Sequence, residues 1–135
     1  MLSPTLATLR ITLHVLAATI WVGGQVTLAG LLPVLRQHEG SAKQAARAFN
    51  RIAWPAFFVL VLTGVWNLAA VDITNTSNSY QITVFVKVAV AMVAGTATAI
   101  HSIGQSKVAL ALGGAVGALA SLMAVFLGVL LHTGH

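Results

Sequence analysis

The sequence contains no cysteine and only two carboxylate side chains, Glu39 and Asp72. The lack of cysteine excludes disulfides, thiolate metal sites and Cys-ligated clusters. The two carboxylates lie in separate polar segments, and the chain has no nucleophile–His–acid set and no phosphate-binding loop, so an independent enzyme is disfavoured. Charged residues make up only 7% of the 135 residues, whereas soluble domains carry roughly 25%. The composition therefore argues against an ordinary soluble domain.

Hydrophobic residues are abundant, at 58% of the chain, and they fall into four long runs. The runs cover about residues 6–35, 52–71, 82–101 and 108–131. Each run has about the 20 residues that a helix needs to cross ~30 Å of hydrocarbon. The connections are too short to hold a soluble domain. The sequence therefore predicts an all-α integral membrane protein, with residues 1–135 forming one four-helix bundle domain in the lipid bilayer.

The basic residues predict the orientation of this bundle. Four of them lie between the first and second runs (Arg36, Lys43, Arg47 and Arg51), and Lys107 lies between the third and fourth. Arg10 alone marks the opposite side. Because basic loops stay in the cytoplasm, we expect both termini outside, an N-out/C-out topology. The formal charge of +5 thus has a topological meaning, and no nucleic-acid partner is expected.

Two titratable side chains, His14 and Lys87, lie inside apolar runs. Hydrocarbon is a poor environment for such groups, which usually have a partner, a ligand or a function there. Helical spacing and depth predict one layer of polar and aromatic side chains in the outer half of the bundle: His14, Trp66, Asn67, Lys87 and His132. His101 is excluded from this layer, because the fourteen residues that separate it from Lys87 span about 21 Å of helix. We expect His101 at the cytoplasmic boundary.

Three interpretations of this outer layer are open. For copper, His14 and His132 are the nitrogen ligands, and Met92 and Met123 offer thioethers that suit Cu(I). For haem b, His14 is the first axial ligand and His132 a possible second. Lys87 then pairs with a propionate.

The third interpretation is structural. His14 then hydrogen-bonds to Asn67 or to a backbone carbonyl, and Lys87 extends its ammonium group to the outer surface. The chain would in that case be an accessory subunit of a larger membrane complex.

Small residues recur every four positions in the third and fourth runs, at Ala91, Gly95 and Ala99 and at Gly113, Gly117 and Ser121. Such stripes allow helices to approach closely. Packing within the bundle is the expected role. The alternatives are a contact face for a homo-oligomer or a larger membrane complex, and space for a flat cofactor.

Several segments in chain order resemble the copper-resistance D (CopD-like) membrane domain family. These are His14-x6-Trp21-Val22-Gly23-Gly24, Phe49-Asn50-Arg51-Ile52-Ala53-Trp54-Pro55, Leu62-Thr63-Gly64 and Phe85-Val86-Lys87-Val88. The last of them lies in the run that ends near His101. The resemblance covers nearly all of the chain past residue 10. It implies a role in copper tolerance or uptake and a location in a bacterial inner membrane.

The CopD-like family is similar to the HemJ-type protoporphyrinogen oxidases, which are four-helix haem proteins with a first-helix His and a third-helix Lys. His14 and Lys87 match both residues. The chain departs from the oxidase pattern just before Lys87, where Phe85 stands in place of a His. This departure makes oxidase activity the minor enzymatic alternative. The resemblance thus favours copper handling, while the residues themselves slightly favour haem b.

Overall fold

A computed structural model describes residues 3–134, which form helices joined by short connections. In chain order the elements are α1 (Leu6–Ala18), a π-helical segment (Thr19–Gly23), α2 (Gly24–Leu35), α3 (Ser41–Ala69), a 3₁₀ turn (Ile73–Asn75), α4 (Asn78–Ile103) and α5 (Lys107–Thr133). No strand is found between residues 3 and 134. The predicted all-α class is confirmed.

Four helical segments are long and apolar enough to cross a membrane: Leu6–Leu35, Ser41–Ala69, Asn78–Ile103 and Lys107–Thr133. Many of their large apolar side chains are exposed, among them Leu62 at 69% and Phe85 at 69%. In water such a surface would be unfavourable, whereas in lipid it is the expected one. The prediction of four long apolar helices, typical of a multi-pass membrane protein, is confirmed.

The chain divides into two compact units, residues 1–72 and residues 73–135. In the first unit α1, the π-helical segment and α2 pack against α3, and in the second α4 packs against α5. Each unit is therefore a pair of long antiparallel apolar segments joined by a short turn. The assembly of both units into one domain stays a prediction.

Hydroxyl side chains begin three of the helices. Thr5 accepts a hydrogen bond from the Thr8 main-chain N–H, and the Thr8 side chain accepts one from the Thr5 N–H in return. Ser77 and Ser106 cap α4 and α5 in the simpler one-way form, accepting from Tyr80 and Ala109. These bonds satisfy main-chain donors that have no partner within the helix, which fixes where each apolar segment starts.

Helix α3 begins at Ser41, eleven residues before the apolar run that predicts it. Its 29 residues span about 44 Å, more than the ~30 Å of hydrocarbon. The extra turns carry the exposed side chains of Lys43 and Arg47. Gly40, with a φ of 76°, lets the chain enter this helix from a left-handed turn that favours glycine. The basic segment is thus an extension of the second long helix.

Glycines on α5 allow it to pack closely on α4. A Cβ at Gly113 would lie 2.8 Å from the carbonyl oxygen of Ala97 and 2.9 Å from the main-chain nitrogen of His101. One at Gly117 would lie 2.6 Å from Thr98 Oγ1. The small-residue stripe of α5 therefore packs against α4 within the second unit, which agrees with the packing role expected from the sequence. Assembly into an oligomer or a larger complex stays a prediction.

Candidate functional site

The imidazole of His14 is held by Thr63. His14 Nδ1 lies 2.8 Å from Thr63 Oγ1, across the contact between α1 and α3. Thr63 Oγ1 donates its own hydrogen to the main-chain carbonyl of Val59 at 2.7 Å, with a longer contact of 3.2 Å to that of Leu60. A hydroxyl has one hydrogen, so both contacts are satisfied together only in the tautomer with the hydrogen on Nδ1, in which Thr63 accepts from His14 and donates to Val59. The lone pair of the neutral imidazole is then on Nε2.

The α3 surface beneath this imidazole is small and buried. Thr63 is only 5% exposed, and the next residue, Gly64, has no side chain to displace the ring. His14 Cε1 lies 3.5 Å from the place that a Gly64 Cβ would take, which is van der Waals contact. The sequence Thr63-Gly64 thus supplies an anchor for Nδ1 and a flat surface for the ring. His14 itself is half-buried and has a further interaction besides this bond.

An aromatic cluster lies two turns of helix further along the first span. Trp21 is 2% exposed and is the largest fully buried side chain. Its ring centroid lies 5.6 Å from that of Trp54 and 4.6 Å from that of Phe57, both on α3. Trp54 and Phe57 also meet edge-on, at 5.8 Å. The three rings pack the π-helical segment of the first span against α3.

The π-helical segment Thr19–Gly23 contains Trp21. A π turn holds more residues than an α turn, so residues after Gly23 are rotated relative to those before Thr19. An uninterrupted α-helix would place His14, Trp21 and Gln25 on one face, and the π turn interrupts this spacing. Such segments are frequent at functional sites. Here the segment determines which way the buried side chain of Trp21 points from the helix.

Two polar side-chain atoms in the first unit are buried without a hydrogen-bond partner among the described residues, Arg10 Nε and Gln25 Nε2. Arg10 lies on α1, one turn before His14. Leaving a buried donor unsatisfied costs about 1–3 kcal/mol, and more for a charged group. A hydrogen-bond acceptor from outside the chain would therefore stabilise the protein at either of these two donors.

Lys87 lies on α4 in the second unit and is half-buried. Its Nζ is 2.9 Å from the place that a Cβ of Gly128 on α5 would take. The missing side chain at Gly128 thus makes room for the ammonium group. Nothing within residues 3–134 forms an ion pair or a hydrogen bond with Lys87 Nζ.

The other candidate residues lie mostly at the surface of the chain. On α3, Trp66 is 41% exposed and Asn67 is half-buried. In the second unit, Met92 is 68% exposed, Met123 is 50% exposed, and His132 is exposed on the last turn of α5. Whether these side chains share a layer with His14 stays a prediction.

His101 is anchored at the end of α4. Its Nδ1 donates to the carbonyl of Leu110 on α5 at 2.5 Å, and its ring lies against Gly114, where a Cβ would be 3.0 Å from Nδ1. The residue is exposed. Its role in the structure is to join the ends of α4 and α5 near their connection.

Three or more His, Cys, Asp or Glu side chains do not come together as a possible metal site anywhere in the described part of the chain. The polar site of the first unit is instead one oriented imidazole, with Arg10 one helical turn before it on α1. The Thr63 partner and the Trp21 cluster were not foreseen from the sequence, which suggested Asn67 or a carbonyl as the partner of His14. The adjacent Thr63 and Gly64 were the available signal.

Comparisons with protein-family models, with curated proteins and with solved structures found no match to this chain.

Proposed function

We propose that this chain is a multi-pass membrane protein that binds haem b through His14. The observation that carries the proposal is the 2.8 Å contact between His14 Nδ1 and Thr63 Oγ1. The tautomer that satisfies both this contact and the one from Thr63 to Val59 has its lone pair on Nε2. Histidines that bind metals almost always donate their other ring N–H to a fixed acceptor, which sets both tautomer and orientation. His14 has this arrangement inside an apolar span.

The ligand set favours haem over a copper ion. Copper would take several ligands from protein side chains. Residues 3–134 hold no group of three His, Cys, Asp or Glu, so a copper site there would have to use the thioethers of Met92 and Met123. A porphyrin brings four nitrogen ligands of its own, so the protein has to add only one or two. One axial histidine suffices in globins and peroxidases. A single oriented imidazole therefore fits haem better than it fits copper.

The residues around His14 have separate tasks in this proposal. His14 Nε2 would be the axial ligand, and Thr63 would hold the ring and make Nε2 more basic by accepting the Nδ1 hydrogen. Haem b, when bound, supplies one-electron chemistry at its iron. His132 stays a candidate for the second axial position and Lys87 for a propionate partner.

The membrane setting of the proposal follows from charge and hydropathy. The basic residues Arg36, Lys43, Arg47 and Arg51 fall in the connection between the first two spans and the first turns of α3. The positive-inside rule then gives N-out/C-out topology, with His14 in the outer half of its span. A four-helix bundle in a bacterial inner membrane is the setting that the resemblance implies.

Copper handling, as in the CopD-like family, is the alternative function. It is supported by the order of the resembling segments and by His14 as a nitrogen ligand. The exposure of Met92 and Met123 means that these side chains reach a shared site only if another surface covers them. The metal content of the purified protein decides between the two.

The test is an absorption spectrum of the detergent-purified protein, oxidised and then reduced, with iron and copper analysis of the same sample. We expect a Soret band that sharpens on reduction, and iron near one atom per chain. A colourless protein that contains copper would refute haem binding and favour the alternative. A chain that takes up neither, even after reconstitution, would leave the accessory-subunit interpretation.

Replacement of Thr63 tests the observation that carries the proposal. Thr63→Val keeps the shape of the side chain but removes the acceptor for His14 Nδ1–H. We expect haem affinity to fall about 10–100-fold, the usual effect of losing an outer partner of a metal ligand. Thr63→Ser keeps the hydroxyl and should stay near wild type. Titration of haem into the apoprotein measures both, and equal affinity in all three proteins would contradict a ligand role for His14.

A further inference from the structure

Arg10 is the cationic side chain closest in sequence to His14, and it lies in the same unit. The two residues are four apart on α1, so their side chains are neighbours on one face of the helix, with Cβ atoms about 5–6 Å apart. Each Cα–Cβ bond tilts toward the helix N-terminus, so the long Arg10 side chain extends away from His14 toward the start of the span. Arg10 is therefore one turn nearer the outer surface than the imidazole.

The guanidinium of Arg10 is unusual because its Nε is buried and has no hydrogen-bond partner in the part of the chain that the structure describes. The side chain as a whole is half-buried and forms no hydrogen bond or ion pair with residues 3–134. Glu39 and Asp72 are the only carboxylate side chains in the sequence. Within residues 3–134, this half-buried cation therefore has no anionic partner for its buried Nε.

We propose that Arg10 binds a carboxylate of the cofactor whose iron His14 ligates, so that one turn of α1 holds both the metal and the acidic edge of haem b. This inference rests on the proposed function. A guanidinium and a carboxylate form two parallel charge-assisted hydrogen bonds, which satisfy Nε and one terminal nitrogen together. Because Nε is covered by the chain itself, a bound carboxylate provides the partner that Nε lacks once the half-buried side chain turns toward it. It also fixes which edge of the cofactor faces the outer surface.

The test compares two porphyrins on the purified apoprotein, haem b and its dimethyl ester, in which both carboxylates are blocked. For the wild type we expect haem b to bind about tenfold more tightly than the ester, the usual worth of a hydrogen bond to a charged group. Arg10→Gln should lose this preference, with its affinity for the ester unchanged, and Arg10→Lys should keep part of it. Equilibrium titration followed at the Soret band measures the six dissociation constants of the three proteins with the two porphyrins.

The matched control is Arg47→Gln, which removes the same charge from an exposed position on α3 in the same unit. It should keep the wild-type preference for haem b. Helix content and elution as a single species show that each variant folds. If Arg10→Gln keeps the preference, the inference is wrong and the proposed function stands.

Two further results would overturn the inference in recognisably different ways. If Arg10→Gln leaves the porphyrin preference intact but lowers the amount of anionic phospholipid that copurifies, the partner of Arg10 is a lipid phosphate. If the wild type binds neither haem b nor the ester, haem binding itself fails, and the inference fails with it.

Discussion

His14→Ala is expected to leave the purified protein without haem. The substitution removes the axial nitrogen itself, so the loss of affinity should exceed the roughly hundredfold limit typical of outer partners such as Thr63. The fold should survive, because Thr63 still donates its hydroxyl hydrogen to the carbonyl of Val59. Haem per chain, measured from the absorption spectrum and the protein concentration, gives the result.

The matched control for this change is His101→Ala. His101 is also a helical histidine whose Nδ1 has a fixed acceptor, but that acceptor is the carbonyl of Leu110 and the residue is exposed at the end of α4. We expect wild-type haem content in this variant. Full retention by His14→Ala, or complete loss in His101→Ala, would show that the ligand has been assigned to the wrong histidine.

The second large effect is expected at Gly113. An added Cβ would meet the carbonyl of Ala97 and the main-chain nitrogen of His101 at 2.8 and 2.9 Å, and backbone atoms cannot rotate away. Gly113→Ala should therefore separate α4 from α5 and destabilise the protein by about 1–3 kcal/mol, the usual cost of overpacking. Unfolding in mixed micelles with increasing SDS measures the change.

Gly30→Ala on α2 is the matched control, since nothing lies within 4 Å of a Cβ at that position. It changes the same residue type within a helix, and its better helix propensity should make it neutral or stabilising by up to about 1 kcal/mol. If both variants unfold at the same SDS concentration as wild type, the close contact between α4 and α5 does not exist as described.

The sequence predicts the helices well because hydrophobic runs of this length allow little else in lipid. Hydropathy does not predict the start of α3, because it marks only the apolar part of a helix. The segment from Ser41 to Ile52 is rich in alanine and basic residues, which favour helix without marking it as an apolar run. The helix therefore extends from the apolar run back to Ser41, directly after Gly40.

The site is harder to predict than the helices. His14 is conspicuous as a titratable residue in an apolar run, but its partner depends on the register between α1 and α3. A shift of one helical turn would exchange Thr63 for Asn67. Nothing in the composition of Thr19–Gly23 signals a π turn, and the burial of Arg10 Nε is visible only once the side chains are placed.

The central claim is that His14 ligates the iron whether or not His132 supplies a second ligand, and a chain with His14 as its single histidine tests it most directly. In that chain His38, His101, His132 and His135 are replaced by glutamine and the remaining histidine is isotope-labelled. We expect it to insert, fold and bind haem b, with hyperfine coupling between ferric iron and a histidine nitrogen. A chain that folds as wild type does but binds no haem, or binds it without that coupling, would contradict the account.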